Sequence, residues 1–561
     1  MRVSFVCIVL SFFSAVGVAS NKPPAAAIAS AHPLATDAGI EILEAGGNAF
    51  DAAVAVTAAL AVVEPYSSGL GGGGFWLLHR AADNFNTMID GRETAPAAST
   101  RDMYLDQAGN VVPGLSMDGP LSAGIPGVPA AIVYMSKKYG RLPLTMSLAP
   151  AIRLAREGFQ VDEHYQRLAN FRKEVLNRWP ASAELFLLNN DVPPTSHRII
   201  QTDLAKTLYA MSTHGAAGFY AGAIAERLVQ ATKEAGGIWT LDDLKNYRLV
   251  ERRPIVGHYG HIKLISAPPP SSGGMALLTM LNILSGYDLH ALPPVEQYHL
   301  VVEAMRRAYR DRAVYLGDAD FVDVPVARLT SADYAAGLRA SIRHDRALPS
   351  ELLPGIEPEK EGPHTTHFSI LDYEGNRVAA TVTVNYPFGS GFVAQGTGVL
   401  LNDEMDDFSS KPGSPNAYGL VGAEANAIVP GKRPLSSMSP TFLESEKGIA
   451  ILGTPGGSRI ITMVLLGILD YAKGHGPDSW VSLGRYHHQY LPDVIEYEER
   501  ALTAEQIQQL QGLGHSLKVT RWPYGNMQAI LWRVNEGEVL SASDPRGVGK
   551  AFVKSTMFAQ K

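Results

Sequence analysis

The sequence predicts a mixed α/β protein built of stacked layers, and three observations carry that prediction. Apolar residues recur at helical spacing through much of the first half. Short apolar runs bounded by turn residues read as buried or paired strands. A polar, Pro/Gly-rich stretch from Ala347 to Pro363 separates two halves of different texture. At 561 residues the chain is too long for one simple core unless the fold is a large layered one.

Taken in order, the chain opens with Arg2, an apolar run from Val3 to Val18 and the small residues Val18-Ala19-Ser20. Residues 1–20 read as a secretory signal peptide cut after Ser20 or close by, which points to a secreted or periplasmic protein. The run is shorter than the ~20 apolar residues of a membrane span and contains Ser11 and Ser14, so an uncleaved anchor is the weaker alternative. Cys7 is the one cysteine. Once the signal is removed, disulfides, thiolate nucleophiles and cysteine zinc sites are excluded, as suits an oxidising export compartment.

Asn21 to Ile28 is Pro/Ala-rich and reads as a loose lead-in. Helix-like patterns follow over His32 to Leu43 and Ala52 to Val63, broken by Gly46-Gly47-Asn48 and Glu64-Pro65, with a short strand over Phe75 to His79. The middle, Ala130 to Arg252, is helix-rich; Ile262 to Ala267 is a strand; Pro268 to Gly274 turns the chain into a helix near Met275. His299 to Tyr315 reads as a long amphipathic helix with several arginines. Beyond the linker, Thr365 to Leu371 and Val378 to Val384 alternate like paired strands around Tyr373-Glu374-Gly375-Asn376.

Composition narrows function. With 46% hydrophobic and 18% charged residues, 54 Gly and 36 Pro, the chain is neither disordered, collagenous nor a membrane bundle. A net charge of −7 offers no excess of positive charge to draw in nucleic acid or anionic lipid. Gly69 to Gly74 contains a formal G-x-G-x-x-G, but a helix precedes it and an apolar strand follows, the inverse of a dinucleotide site, so it is a tight turn between close backbones. No G-x-S-x-G and no H-E-x-x-H occurs, and His487-His488 are adjacent, which suits hydrogen bonding better than metal ligation. No metal or cofactor is expected.

Gly362-Pro363-His364-Thr365-Thr366 is where chemistry becomes possible. From these residues alone a β-branched start of a strand is the plainer reading. The sharper one is a cut before Thr365, which places a free α-amine beside the Thr365 hydroxyl, so one residue supplies both nucleophile and base. An α-amine has a reference pKa of ~7.7–8.0 and is partly neutral near pH 7. Pro434 to Pro440 offers clustered hydroxyls. Gly453 to Arg459 sets consecutive glycines between a strand and a helix, where backbone N–H groups can hold a developing oxyanion.

Together these stretches resemble the γ-glutamyltranspeptidases, a family of N-terminal-nucleophile hydrolases. The likeness is collinear over the mature chain, through Gly46 to Ala53, Pro65 to Gly73, Asp90 to Pro96, Pro268 to Gly274, Thr365 to Ser369, Leu401 to Phe408, Pro434 to Pro440 and Ser543 to Arg546. It implies an α+β fold, a four-layer αββα sandwich built from two autoproteolytic subunits. Residues 21–364 would form the large subunit and 365–561 the small catalytic one, cut between His364 and Thr365. It implies Thr365 as nucleophile, Thr383 as a supporting hydroxyl, and Gly456 and Gly457 as oxyanion donors. Arg92 with Ser436 and Ser437 would take the substrate α-carboxylate, and Asp407 with Asn385 and Glu404 the α-ammonium. Tyr418, in a Pro/Gly-rich loop, would close over the bound group. The implied partners are glutathione and other γ-glutamyl compounds, with amino acids or peptides as acceptors. Two other readings stand beside this one: a glutaryl or cephalosporin-type acylase of the same superfamily, and a non-processing binding protein.

Overall fold

The computed structural model describes residues 22–353, 365–411, 413–414, 416–417 and 420–555. The signal peptide expected over residues 1–20, His364 at the expected cut and Tyr418 lie outside the described residues.

Two antiparallel sheets form the centre. Their strands, in chain order, are β1 (Ala25–Ser30), β2 (Gly73–Arg80), β3 (Phe85–Asp90), β4 (Val250–Arg252), β5 (Ile255–Tyr259), β6 (Ile262–Ser266) and β7 (Thr366–Leu371). They continue with β8 (Arg377–Thr383), β9 (Thr441–Ser445), β10 (Gly448–Gly453), β11 (Gln528–Arg533), β12 (Glu538–Ser543) and β13 (Lys550–Ser555). One sheet has the order β13-β1-β7-β8-β2-β3-β4 and the other β12-β11-β10-β9-β6-β5.

Side-chain alternation decides what each face meets. Ala26 and Ile28 of β1, Trp76 and Leu78 of β2, and Phe368 and Ile370 of β7 pack with helices α1 (Pro33–Glu44) and α2 (Ala49–Val63). The intervening residues Ala25, Ala27, Ala29, Phe75 and Leu77 turn toward Phe442, Ala450 and Leu452 of the second sheet. Helices α3 (Gly273–Leu284), α4 (Pro294–Tyr315) and α5 (Ile460–Ala472) join that second core. The result is the four-layer αββα sandwich expected.

Local signals explain the element ends. Asn48 caps α2: its Oδ1 accepts from Phe50 N and Asp51 N at 2.9 and 3.0 Å, and Asp51 Oδ2 accepts from Asn48 N at 3.0 Å. All of α2 is buried, which is why its apolar pattern has no polar face to mark it. The hairpin expected around Tyr373 to Asn376 joins β7 and β8, with Leu371 opposite Arg377. The glycine run before β2 is a close backbone approach: a Cβ on Gly71 would stand 2.0 Å from the Leu400 carbonyl oxygen, and one on Gly72 2.0 Å from that of Thr383.

One expectation is corrected. The segment Asn21 to Ile28, read as a loose lead-in, holds the first four residues of β1, a strand that lies between β7 and β13 and is buried along its whole length. Four of its six residues are alanine, of low strand propensity, and they suit a strand covered on both faces by close neighbours. Tertiary packing overrides composition here.

Candidate active site

Thr365 stands immediately before β7 and is 7% exposed. The hairpin register pairs Thr366 with Val382, bringing Thr365 to the end of β8, where Thr383 lies. Their hydroxyl oxygens are 3.5 Å apart, longer than the usual O–H···O bond of about 2.7–2.8 Å. Thr383 Oγ1 also accepts from the Asn385 backbone N–H at 2.7 Å. Asn385 adopts φ 73°, a left-handed conformation that asparagine tolerates, and its Nδ2 donates to the Asp403 carbonyl at 3.0 Å.

Behind Thr365 lies a buried acid. Thr366 Oγ1 donates to Glu64 Oε2 at 2.6 Å, and burial pushes the Glu64 carboxyl up to about 7, against the pull of that hydrogen bond. A carboxyl raised in the folded state contributes stability that is whole below about 4.5 and is lost as pH climbs through about 7. The full span is worth on the order of 3 kcal/mol. Glu64→Gln should therefore flatten the fall in melting temperature between pH 5 and pH 8; a variant with the wild-type slope would refute this.

The charged centre is built around Arg92, 1% exposed, just past the end of β3. Its backbone N–H donates to Asp90 Oδ1 at 2.9 Å; Nε and Nη2 donate to the Pro434 and Leu435 carbonyls at 3.2 Å each. Nη1 pairs with Glu404 Oε1, and Nη2 with Asp407 Oδ2 at 2.5 Å. Burial pulls the Arg92 guanidinium down, but the carboxylates of Glu404, Asp407 and Glu93 outweigh it and hold it above its ordinary value. Burial raises Glu404 and Asp407, with Arg92 opposing. Glu93, fully buried and 3.9 Å from Arg92, is held well above the ordinary carboxylate range, by burial first and by Glu404 second.

Two loops close the site. Ser436 N donates to the Pro270 carbonyl at 2.9 Å, and its own carbonyl accepts from Ser272 N and Ser272 Oγ at 2.8 and 2.7 Å. The proline-serine turn before α3 thus clamps the serine loop. Gly456 and Gly457, with φ of 139° and 55°, turn the chain from β10 toward α5. Glycine suits these angles because a side chain would be strained there.

These parts meet in one cleft with about 280 Å³ of atom-free space, partly open to solvent. Thr365, Thr383, Asn385, Arg92, Glu404, Asp407, Ser436, Ser437 and Gly457 all line it. Gly456 stands beside Gly457 but is not in the lining. The cleft also contains Arg312, which sequence reasoning passed over. The available signal was spacing: Met305, Ala308 and Arg312 lie on one stripe of α4, so a cation occupies the apolar face.

Among the described residues one group has metal-ligating spacing, His299, Glu303 and His515. Glu303 Oε2 already accepts from Arg307 at 2.6 Å, and His299 Nδ1 is 2.8 Å from His515 Nε2, so these side chains satisfy one another. His487 and His488 behave as the hydrogen-bonding pair expected, with Thr462 and Gln489 on the first and Asp493 on the second.

An αββα sandwich with a threonine opening a central strand, at the mouth of a charged cleft, defines the fold class as that of the N-terminal-nucleophile hydrolases. The chain is 27% identical to a cephalosporin acylase from Bacillus halodurans, with a TM-score of 0.83 over 98% of this chain and 99% of that one. It is 43% identical to the Helicobacter pylori γ-glutamyltranspeptidase structure, with a TM-score of 0.57 over 58% of this chain and 94% of that one. The glutathione hydrolase proenzyme of Pseudomonas sp. (strain A14) is 42% identical over 539 residues, 92% of each chain. The family model for γ-glutamyltranspeptidase matches residues 35–553. The chain belongs to the γ-glutamyltranspeptidase family. No helix among the described residues is long and apolar enough to cross a membrane.

Proposed function

We propose that this protein is a self-processing γ-glutamyltransferase and glutathione hydrolase, exported by residues 1–20. The observation that carries the reading is a threonine hydroxyl sharing one cleft with an Arg92–Asp407 ion pair, a surface that complements the α-carboxylate and α-ammonium of a glutamyl group. In maturation the Thr365 hydroxyl adds to the His364 carbonyl. The acyl group moves from nitrogen to oxygen, and water hydrolyses the ester. Residues 21–364 and 365–561 result, the second with a free α-amine.

In turnover that amine accepts the hydroxyl proton as Oγ attacks the γ-carbonyl, with Thr383 orienting the hydroxyl. The oxyanion takes the N–H groups of Gly456 and Gly457, contacts of a kind worth about 2.7–4 kcal/mol per donor. Collapse releases the amine product with the proton and leaves a γ-glutamyl ester on Thr365. Water, or the amine of an amino acid or peptide, then discharges it. Arg92, Ser436 and Ser437 hold the α-carboxylate, while Asp407, Asn385 and Glu404 hold the α-ammonium.

Paired substrates test this against the acylase reading. A γ-glutamyl anilide should be cleaved and a glutaryl anilide, which lacks the ammonium, should be poor. Asp407→Ala should lower kcat/KM for the γ-glutamyl anilide by ~10²-fold or more, since one side of a buried charge pair is lost. An Asp407→Ala enzyme with normal γ-glutamyl turnover would sink the assignment.

A further inference from the structure

We propose that Arg312 is a positioning residue for the substrate α-carboxylate, acting through Ser437: it fixes that hydroxyl as a donor to the anion. The inference rests on the γ-glutamyl reading above and adds a residue to it.

From α4, Arg312 reaches the cleft that Thr365 lines. Its Nε donates to Ser272 Oγ at 3.0 Å and its Nη2 to Ser437 Oγ at 3.2 Å. Ser272 Oγ in turn donates to the Ser436 carbonyl at 2.7 Å. One guanidinium fork therefore ties both ends of the serine pair. A hydroxyl has a single proton, and one that accepts from a guanidinium turns that proton toward another acceptor as a more strongly polarised donor. Ser437 lines the cleft, so the acceptor available to it on binding is the ligand.

Charge balance points the same way. Arg92 is shared with Glu404 and Asp407, so part of its charge is already offset when a carboxylate approaches it. Arg312 is buried against hydroxyls instead, and burial brings its guanidinium down only to about 10, so it is charged at neutral pH. It is the second cation of a cleft that must accept a carboxylate.

Steady-state kinetics of the processed wild type, Arg312→Gln, Ser437→Ala and the double variant test the proposal, with a γ-glutamyl anilide as substrate. Arg312→Gln should raise KM about tenfold while kcat stays within about threefold, and the double variant should be little worse than the poorer single one. Multiplying effects, or a loss confined to kcat, would overturn it. Should Arg312→Gln fail to process, Arg312→Lys keeps charge and stem but not the fork, and the same rise in KM is required of it. If neither variant processes, Arg312 serves the fold and the proposal falls. Absence of anilide release by wild type would instead fail the functional reading itself.

Discussion

A Thr365→Ala variant should run as one uncut chain and release no anilide from γ-glutamyl substrate, a fall of ~10⁵-fold or more in kcat. Two events depend on the same atom. Without Oγ there is no attack on the preceding carbonyl, hence no new α-amine, and without that amine the site has lost its base along with its nucleophile. Intact-mass spectrometry separates the steps: wild type should yield two masses meeting at the His364–Thr365 bond. Thr365→Ser keeps the oxygen and should be cut, more slowly. A cut Thr365→Ala chain would refute self-processing. A wild type that stays whole would leave the fold standing as a stalled precursor or a binding protein.

Arg92→Gln should be nearly as damaging, and in two ways at once. The substrate α-carboxylate loses its guanidinium, so kcat/KM should fall by ~10³-fold, mostly through KM. The fold loses the counter-charge to Glu404, Asp407 and Glu93, whose side chains are 1%, 11% and 0% exposed. Removing one partner from such a buried cluster costs about 3–5 kcal/mol. Its pH dependence has a definite sign. Burial already raises these carboxyls, so their contribution to stability is present at low pH and lost as pH rises through their folded values. Without Arg92 those values rise further, so the deficit in melting temperature should widen as pH climbs past the wild-type folded value of about 8 at Glu404. A deficit that does not change with pH would refute this account.

What could be read from the residues, and what could not, follows from physics. The hairpin of β7 and β8 was legible because its turn residues and alternating pattern are local. The serine and glycine runs stood out locally as clustered hydroxyls and backbone N–H donors, whereas Thr383, Asp407 and the joining of all these parts were reached through resemblance to a family, because the cleft joins segments remote in sequence. Arg312 and Glu93 escaped because a charged residue in a helix or beside a strand reads as solvated, and only the packed layers reveal it as buried. Ala25–Ser30 escaped for the opposite reason: small side chains signal little until neighbours on both faces require them.

That strand also governs timing. Ala25 pairs with Ser555 and Ala27 with Leu371, so the sheet that Thr365 opens into is knitted from the earliest and the latest described segments. A ribosome or export channel delivers β13 last, and the edge beside β1 stays open until then. That sheet is complete only once β13 has emerged. After the proposed cut, the same ladder would make separation of the halves equivalent to unfolding. Recovery from denaturation then becomes a second-order encounter between two polypeptides, slowing with dilution, where the uncut precursor would refold at a rate independent of concentration.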